Sequence, residues 1–313
     1  MRSNVLFLAL AAVHLFAACN QNQRPTRTDT TTSGYAKVVA DECYVPMMKE
    51  QSNVFEGLNQ DAEINVMYTD EVEAFRLLFQ DSVRLILAAR DLTQHEKEVL
   101  REKKLLPRST KAATDGIALI TNNGNPNKLI TVESVKKILD GEIRTWDQLY
   151  PGSKLGTIQI IFDNPSSSTV RYMQDSVTRG KIKSPNAYAQ NTNTAVIDYV
   201  SKTPNALGIV GVNWISNHAD TTQYGFTDRV RVMAVSPYDE AREDNSYLPY
   251  PAYLILKQYP FCRDVYMIIT DVPGYLPSGF MNFVCGERGQ RIILKLGLVP
   301  ANSPMRLIQV KEN

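Results

Sequence analysis

Three consecutive hydroxyl side chains are this chain's clearest candidates for binding an anion: Ser167, Ser168 and Thr169. They follow an apolar run at residues 158–162, which predicts a buried strand, and they precede apolar residues that recur at helical spacing. The hydroxyls would then lie at a helix N-terminus, where free backbone N–H groups and the helix dipole attract negative charge. The alternative is that Ser167 or Ser168 only caps the helix, as serine commonly does.

Catalytic and metal-binding patterns are sparse. His95 and His218 have no neighbours at metal or general-base spacing, and no HExxH, GxSxG or P-loop pattern occurs. Carboxylates on charged stretches such as residues 91–104 are typical of a solvated helix face. We therefore expect a binding protein rather than an enzyme, with no catalytic residue, no cofactor and no metal site.

The start of the chain predicts export. A basic residue at Arg2 precedes an apolar stretch at residues 5–18 that is too short to span a bilayer, as in a secretory signal. Cys19 directly after Ala17-Ala18 resembles a bacterial lipobox, which predicts a signal peptide at residues 1–18 and lipidation of Cys19. The alternative is ordinary cleavage with Cys19 incidental. Residues 19–33 are polar and predict a flexible tether, which would hold the protein at the cell envelope facing the periplasm or exterior.

Composition narrows the remaining possibilities. A net charge of +1 argues against nucleic acid as a partner, because phosphate backbones require a concentrated basic surface. The chain after Ser33 is long enough for one large or two medium domains. Cys43, Cys262 and Cys285 allow at most one disulfide, and the sequence does not choose the pair.

Strand-like and helix-like patterns alternate after Gly34, which predicts an α/β fold with strands in parallel. Thr131 is a predicted helix N-cap, Gly141 a predicted helix stop, and Trp146 a predicted core residue. Predicted strands lie at residues 36–40, 64–68, 85–89, 116–121, 158–162, 206–211, 253–256 and 265–270. Predicted helices lie at residues 45–54, 72–79, 91–104, 132–139, 279–284 and 288–296.

Five segments, in order, resemble the phosphate-binding proteins of ABC transporters. Ser167-Ser168-Thr169 is similar to the Ser-Gly-Thr phosphate loop of that family. The other four resemble its linker helix, a Gly-rich strand, a Tyr-Pro-x-x-Arg return segment and its closing helix: residues 130–146, 204–211, 259–263 and 289–300. The resemblance implies a two-lobed periplasmic-binding-protein (type II) fold, each lobe a mostly parallel sheet flanked by helices. Lobe one would be residues 34–113 plus 253–313, and lobe two residues 114–252, with hinge strands at 116–121 and 253–256.

The resemblance also implies where the ligand lies, in the cleft between the lobes. The family's binding loops fall on residues 41–44, 69–71 and 88–90, and its phosphate-loop arginine is replaced by Asp163. The implied ligand-binding residues are Ser167, Ser168, Thr169, Arg90, Tyr44, Cys43, Glu42, Thr69, Asp70 and Asp163.

Three functions stay open on the sequence. The first is a monomeric, lipid-anchored solute-binding protein that delivers phosphate or a related anion to an ABC permease. The second keeps the fold but changes the ligand to one that carries a positive group or a coordinated cation, since Glu42, Asp70, Glu71 and Asp163 would disfavour a dianion. The third is an interaction module of a membrane complex.

Overall fold

The computed structural model describes residues 27–216 and 225–302. The predicted signal peptide, the lipidation site Cys19 and the first part of the predicted tether lie outside these ranges. None of the helices in the two described ranges is long and apolar enough to cross a membrane.

The chain alternates strands and helices, as the sequence predicts. The strands are β1 Gly34–Asp41, β2 Ala62–Thr69, β3 Leu85–Ala88, β4 Arg108–Thr121, β5 Leu129–Thr131, β6 Gln159–Phe162, β7 Ala187–Ala189, β8 Ala206–Gly211, β9 Arg231–Val232, β10 Ala234–Ser236, β11 Cys262–Ile269 and β12 Val299–Pro300. The helices are α1 Val45–Leu58, α2 Glu71–Phe79, α3 Gln94–Glu102, α4 Val132–Asp140, α5 Trp146–Leu149, α6 Ser168–Tyr172, α7 Asn193–Lys202, α8 Pro251–Ile255, α9 Leu276–Cys285 and α10 Glu287–Lys295. Short 3₁₀ turns lie at Glu42–Tyr44 and Val212–Trp214, and a π-helical turn at Met173–Thr178 extends α6.

The fold is a two-lobed α/β structure built on one curled sheet with the strand order β2-β1-β3-β11-β4-β8-β6-β7. Strands β2, β1 and β3 pair in parallel in one lobe, and β8, β6 and β7 pair in parallel in the other. Parallel strands end at the same edge of a sheet, so the loops that follow β1, β2 and β3 lie together. The same reasoning brings together the loops that follow β6 and β8.

Strand β4 joins the two lobes. Its first part pairs antiparallel with β11 as far as Gly116↔Cys262, and from Ile117↔Gly211 it pairs antiparallel with β8. The buried core on one side of the sheet contains residues from both lobes, such as Val38 and Val210. On the other side, two separate cores form, one around Phe75 and one around Trp146.

The predicted hinge strand at residues 253–256 is wrong. This segment consists of the last three residues of helix α8 and its C-cap, Leu256. Pro251 occupies the first turn of α8, where its fixed φ favours a helix and its missing N–H is not needed. The chain instead returns to β3 and the first part of β4 through β11, which begins at Cys262.

Other local predictions agree with the structure. Thr131 caps α4 by accepting a hydrogen bond from the N–H of Ser134, and Gly141 ends that helix at a φ of +79°. Trp146 is fully buried and stacks on Tyr150. Cys43, Cys262 and Cys285 are all free thiols, so no disulfide forms among them.

The end of the predicted tether packs on the folded body instead of extending freely. Arg27 Nη1 lies 2.7 Å from Oδ1 of the buried Asp271, and its guanidinium stacks 4.0 Å from the ring centroid of Tyr275. Asp29 accepts a hydrogen bond from the N–H of Leu276. Composition alone predicts flexibility here, because it does not register two charged side chains that find partners in distant parts of the chain.

Candidate functional site

The loop after β1 forms one side of the candidate site. Asp41 Oδ1 accepts a 2.8 Å hydrogen bond from the N–H of Cys43, which starts the 3₁₀ turn Glu42–Tyr44. Cys43 and Tyr44 are fully buried. Lobe two holds this turn from behind, because the side chains of Asn213 and Trp214 both donate to the carbonyl oxygen of Cys43, at 3.1 and 2.8 Å.

The loop after β6 forms the facing side. Ser167 caps α6 by accepting a hydrogen bond from the N–H of Val170. This is the capping role that the sequence allows for Ser167 as an alternative to anion binding. The Ser167 hydroxyl also donates to Asp163 Oδ1 at 2.7 Å. Asp163, Ser167, Ser168 and Thr169 are all buried. Ser167 and Asp163 are therefore joined by a hydrogen bond inside the protein.

The thiol of Cys43 joins the two loops. Its sulfur lies 3.3 Å from Asp163 Oδ2 and 3.2 Å from the hydroxyl oxygen of Thr169, and the Ser168 hydroxyl lies 3.5 Å away. Burial raises the pKa of this thiol well above its usual value, and the charges of Asp41 and Asp163 raise it further. The sulfur is therefore a neutral S–H group, which suits a donor facing a carboxylate.

Asn193 forms a second link across the lobes. Its amide nitrogen donates to Glu42 Oε2 at 2.9 Å and to Asp163 Oδ2 at 3.1 Å. Asn193 is the first residue of α7 and is fully buried. One neutral amide thus bridges two carboxylates that come from opposite lobes.

The buried cation of the site is Arg263, the second residue of β11. Its Nη1 donates to the hydroxyl of Ser168 at 2.8 Å, and its Nη2 lies 3.0 Å from Asp115 Oδ2 on β4. The Tyr44 ring lies beside the guanidinium, with its centroid 5.3 Å from the central carbon. A buried arginine needs such an arrangement, because an unpaired charge in the protein interior is costly.

Arg171 links the helix after β6 to the loops after β2 and β3. Its guanidinium pairs with Glu71 at the start of α2 and donates to the carbonyl oxygen of Ala89 at 3.1 Å. Glu71 is buried and also accepts a hydrogen bond from the N–H of Ala89.

Two carboxyl groups of the site have pKa values above their usual range. Burial raises the pKa of Asp41 to about 6 and that of Glu42 to about 7. Hydrogen bonding from Asn193 opposes the rise at Glu42, whereas the nearby charge of Asp163 adds to it. The site can therefore offer neutral carboxyl donors near neutral pH.

Seven of the ten predicted ligand-binding residues lie together in this site: Glu42, Cys43, Tyr44, Asp163, Ser167, Ser168 and Thr169. The other three make local interactions within lobe one. Arg90 pairs with Glu96 at 2.8 Å and lies over the ring of Phe75, and Asp70 caps α2 by accepting a hydrogen bond from the N–H of Glu73. Thr69 ends β2 opposite Asp41.

Sequence reasoning assigned no site role to several residues that the fold places here: Arg263, Asp115, Arg171, Asn193, Asn213 and Trp214. The sequence does contain an indication that Arg263 belongs to the site, because this residue ends the return segment at residues 259–263 that resembles the transporter family. The residues of the two described ranges contain no group of three His, Cys, Asp or Glu side chains arranged to hold a metal ion.

Comparison with known proteins gives one family match and a consistent set of relatives. Residues 25–288 match the sequence profile of the PBP superfamily domain. The phosphate-binding protein PstS of Staphylococcus epidermidis is 22% identical over 292 residues, which cover 90% of this chain and 83% of that protein. PstS of Pseudomonas aeruginosa is 21% identical over 298 residues, covering 90% and 87%.

Solved structures agree in fold. A Clostridium perfringens protein described as a phosphate ABC transporter substrate-binding protein with bound phosphate superposes with a TM-score of 0.72 at 21% identity, covering 86% of this chain and 100% of that one. An ABC-type phosphate transport receptor from Vibrio cholerae has a TM-score of 0.63 at 17% identity, covering 85% and 100%.

Proposed function

This chain belongs to the PBP superfamily, and from that premise we propose that it is an extracytoplasmic solute-binding protein for phosphate or a related oxyanion. It would bind the anion between the loops at residues 41–44 and 163–169 and present it to an ABC permease. The named relatives, which are phosphate-binding proteins and transport receptors, support this assignment. The proposed role is binding, with no chemical step.

The contact between Arg263 and Ser168 is the observation that carries the proposal. A buried guanidinium donates to the central hydroxyl of the Ser167-Ser168-Thr169 trio, at the boundary between the lobes. Arginine offers planar, paired donors that match the geometry of a phosphoryl group, and its charge persists at every physiological pH. Serine and threonine hydroxyls add donors that turn to suit the anion.

Binding would require the lobes to separate, because Cys43 contacts Thr169 directly. We place lobe one at residues 34–113 together with the chain from β11 onward, and lobe two between these two segments. The flexible points would be the junction of Gly116 with Ile117 on β4 and the segment that enters β11 at Cys262. An anion would then replace the hydrogen bonds that the lobes now make with each other.

The carboxylates of the site couple anion binding to proton uptake in this proposal. A dianion beside ionised Asp41 and Glu42 would be repelled, whereas the protonated forms of these two groups would donate hydrogen bonds to it. Free phosphate should therefore bind weakly at pH 7.5 and more tightly at pH 6.

At the other end of the chain we propose that Cys19 is lipidated and holds the protein at the cell envelope. The apolar stretch at residues 5–18 and the small residues before Cys19 support this. Stable attachment needs more than one acyl chain, since a single chain binds a membrane only marginally.

Titration calorimetry on the mature chain, with Cys19→Ala to keep it soluble, tests the proposed ligand class. Phosphate should bind in metal-free buffer, with an affinity that improves at least about 3-fold from pH 7.5 to pH 6. A matched titration with calcium tests whether a cation substitutes for the protons. If no oxyanion binds at either pH, with or without calcium, the proposed function is wrong.

A further inference from the structure

The donors and acceptors of the candidate site lie on opposite sides of one hydrogen-bonded unit. On one side, Arg263 and Ser168 provide a charged donor and a hydroxyl joined at 2.8 Å. On the other side, Glu42 and Asp163 share the amide of Asn193. The Ser167 hydroxyl, next to Ser168 in the chain, donates to Asp163 at 2.7 Å and so keeps the two sides close.

The charges on the acceptor side are not balanced by the protein. Arg263 is paired with Asp115, and Arg171 is paired with Glu71. Within residues 27–216 and 225–302, Glu42 and Asp163 form no ion pair with a basic side chain. A group that carries positive charge would therefore be stabilised on this side of the site.

A buried acceptor without a partner marks the same side independently of the charges. Asn193 is fully buried, and although its amide nitrogen bridges Glu42 and Asp163, its Oδ1 has no hydrogen-bond partner. A buried polar atom that lacks a partner costs free energy comparable to a lost hydrogen bond, so this oxygen requires a donor.

Resting on the proposed function, we infer that the preferred ligand is a zwitterion, with an ammonium group a short carbon spacer away from a phosphoryl or phosphonyl group. The oxyanion would bind to Arg263, Ser168 and Thr169. The ammonium group, which has three donors and no acceptor, would bind to Glu42, Asp163 and Asn193 Oδ1. A short spacer suffices, because Ser167 and Ser168 connect the two sides through adjacent residues.

An organic ammonium group fits better than a metal ion. The described part of the chain has no cluster of three side chains of the metal-ligating types placed to hold one. The acceptor side instead offers two carboxylates and one amide oxygen, which together can accept from the three N–H donors of one ammonium group.

Calorimetry with a matched pair of ligands tests the inference. At pH 7.5, 2-aminoethylphosphonate should bind the mature chain at least about 10-fold more tightly than ethylphosphonate, which lacks only the amine. Glu42→Gln should reduce this ratio of affinities to about 3-fold or less. The substitution weakens binding of 2-aminoethylphosphonate, because it removes a charge that attracts the amine, and it relieves the repulsion of ethylphosphonate. The exposed Glu243→Gln is the control and should leave the ratio unchanged.

The outcomes separate the inference from the function on which it rests. If ethylphosphonate or inorganic phosphate binds as tightly as 2-aminoethylphosphonate, the zwitterion inference is overturned and the proposed function stands. If the ratio is 10-fold but Glu42→Gln does not change it, the ammonium group does not bind where we place it. If none of the three compounds binds at any pH, the proposed function fails and the inference fails with it.

Discussion

Replacing Asp41 with asparagine should flatten the pH dependence of this protein's stability. The side chain is fully buried, and burial raises its pKa from 3.8 to about 6, with Arg263 opposing the rise and Glu71 adding to it. Between these pH values the folded protein holds a proton that the unfolded chain releases. The stabilising contribution is therefore complete below pH 3.8 and is lost as the pH rises through about 6.

The size of the effect follows from the pKa. A rise from 3.8 to about 6 corresponds to about 3 kcal/mol in the free energy of unfolding. Roughly 1 kcal/mol of this is lost between pH 5 and pH 7. The amide introduced by Asp41→Asn would keep the oxygen that accepts from the N–H of Cys43, so the 3₁₀ turn should remain.

Urea unfolding followed by circular dichroism at pH 5, 6, 7 and 8 would measure this. Wild type should lose about 1 kcal/mol more than Asp41→Asn between pH 5 and pH 7. Carboxyl groups distant from Asp41 titrate identically in both proteins, so their contributions cancel in the difference. The exposed Asp239→Asn should behave as wild type. Identical pH profiles for wild type and Asp41→Asn would refute the reasoning.

Three further predictions concern the site and the anchor. Thr169→Val, which is nearly isosteric, should weaken anion binding about 10-fold in calorimetry with little change in stability, and unchanged affinity would place the ligand elsewhere. Arg263→Met should lower the free energy of unfolding by about 3–5 kcal/mol, because it leaves Asp115 buried without its counter-charge. The exposed Arg288→Met should cost less than about 0.5 kcal/mol, and an equal loss in both variants would contradict the role assigned to the buried pair. Cys19→Ala should move the protein from the membrane fraction to the soluble fraction, and unaltered detergent partitioning would argue against lipidation.

Periodicity predicted most of the fold, because local pattern and tertiary packing agree in most elements. They disagree in β4, where the sequence pattern predicts a strand only at residues 116–121 and not in the first half. Arg108, Lys111 and Asp115 make that half look like a charged loop, yet pairing with β11 holds it extended. They also disagree in α8, where the apolar pattern fits a short strand equally well and Pro251 decides for a helix.

The site was predictable only where it is local. The Ser167-Ser168-Thr169 trio follows a strand and starts a helix, so its position could be inferred from neighbours in the sequence. Arg263 could not be inferred in this way, because its partners Ser168 and Asp115 lie 95 and 148 residues away. Arg90 was expected as the cation, but its neighbour Glu96, six residues along the chain, pairs with it instead.

The packing of Arg27 against Asp271 would limit the distance between the folded body and a membrane to which Cys19 is anchored. If Cys19 carries the lipid, only residues 20–26 separate it from a point fixed to the body. A fully extended chain of that length spans about 25–30 Å, less than the diameter of a single lobe-sized domain. The protein would therefore remain in the layer of fluid next to the bilayer, with the face that contains Arg27, Asp271 and Tyr275 turned towards the lipid. The protein would then reach a permease by lateral diffusion in two dimensions, and the short tether would restrict its orientation.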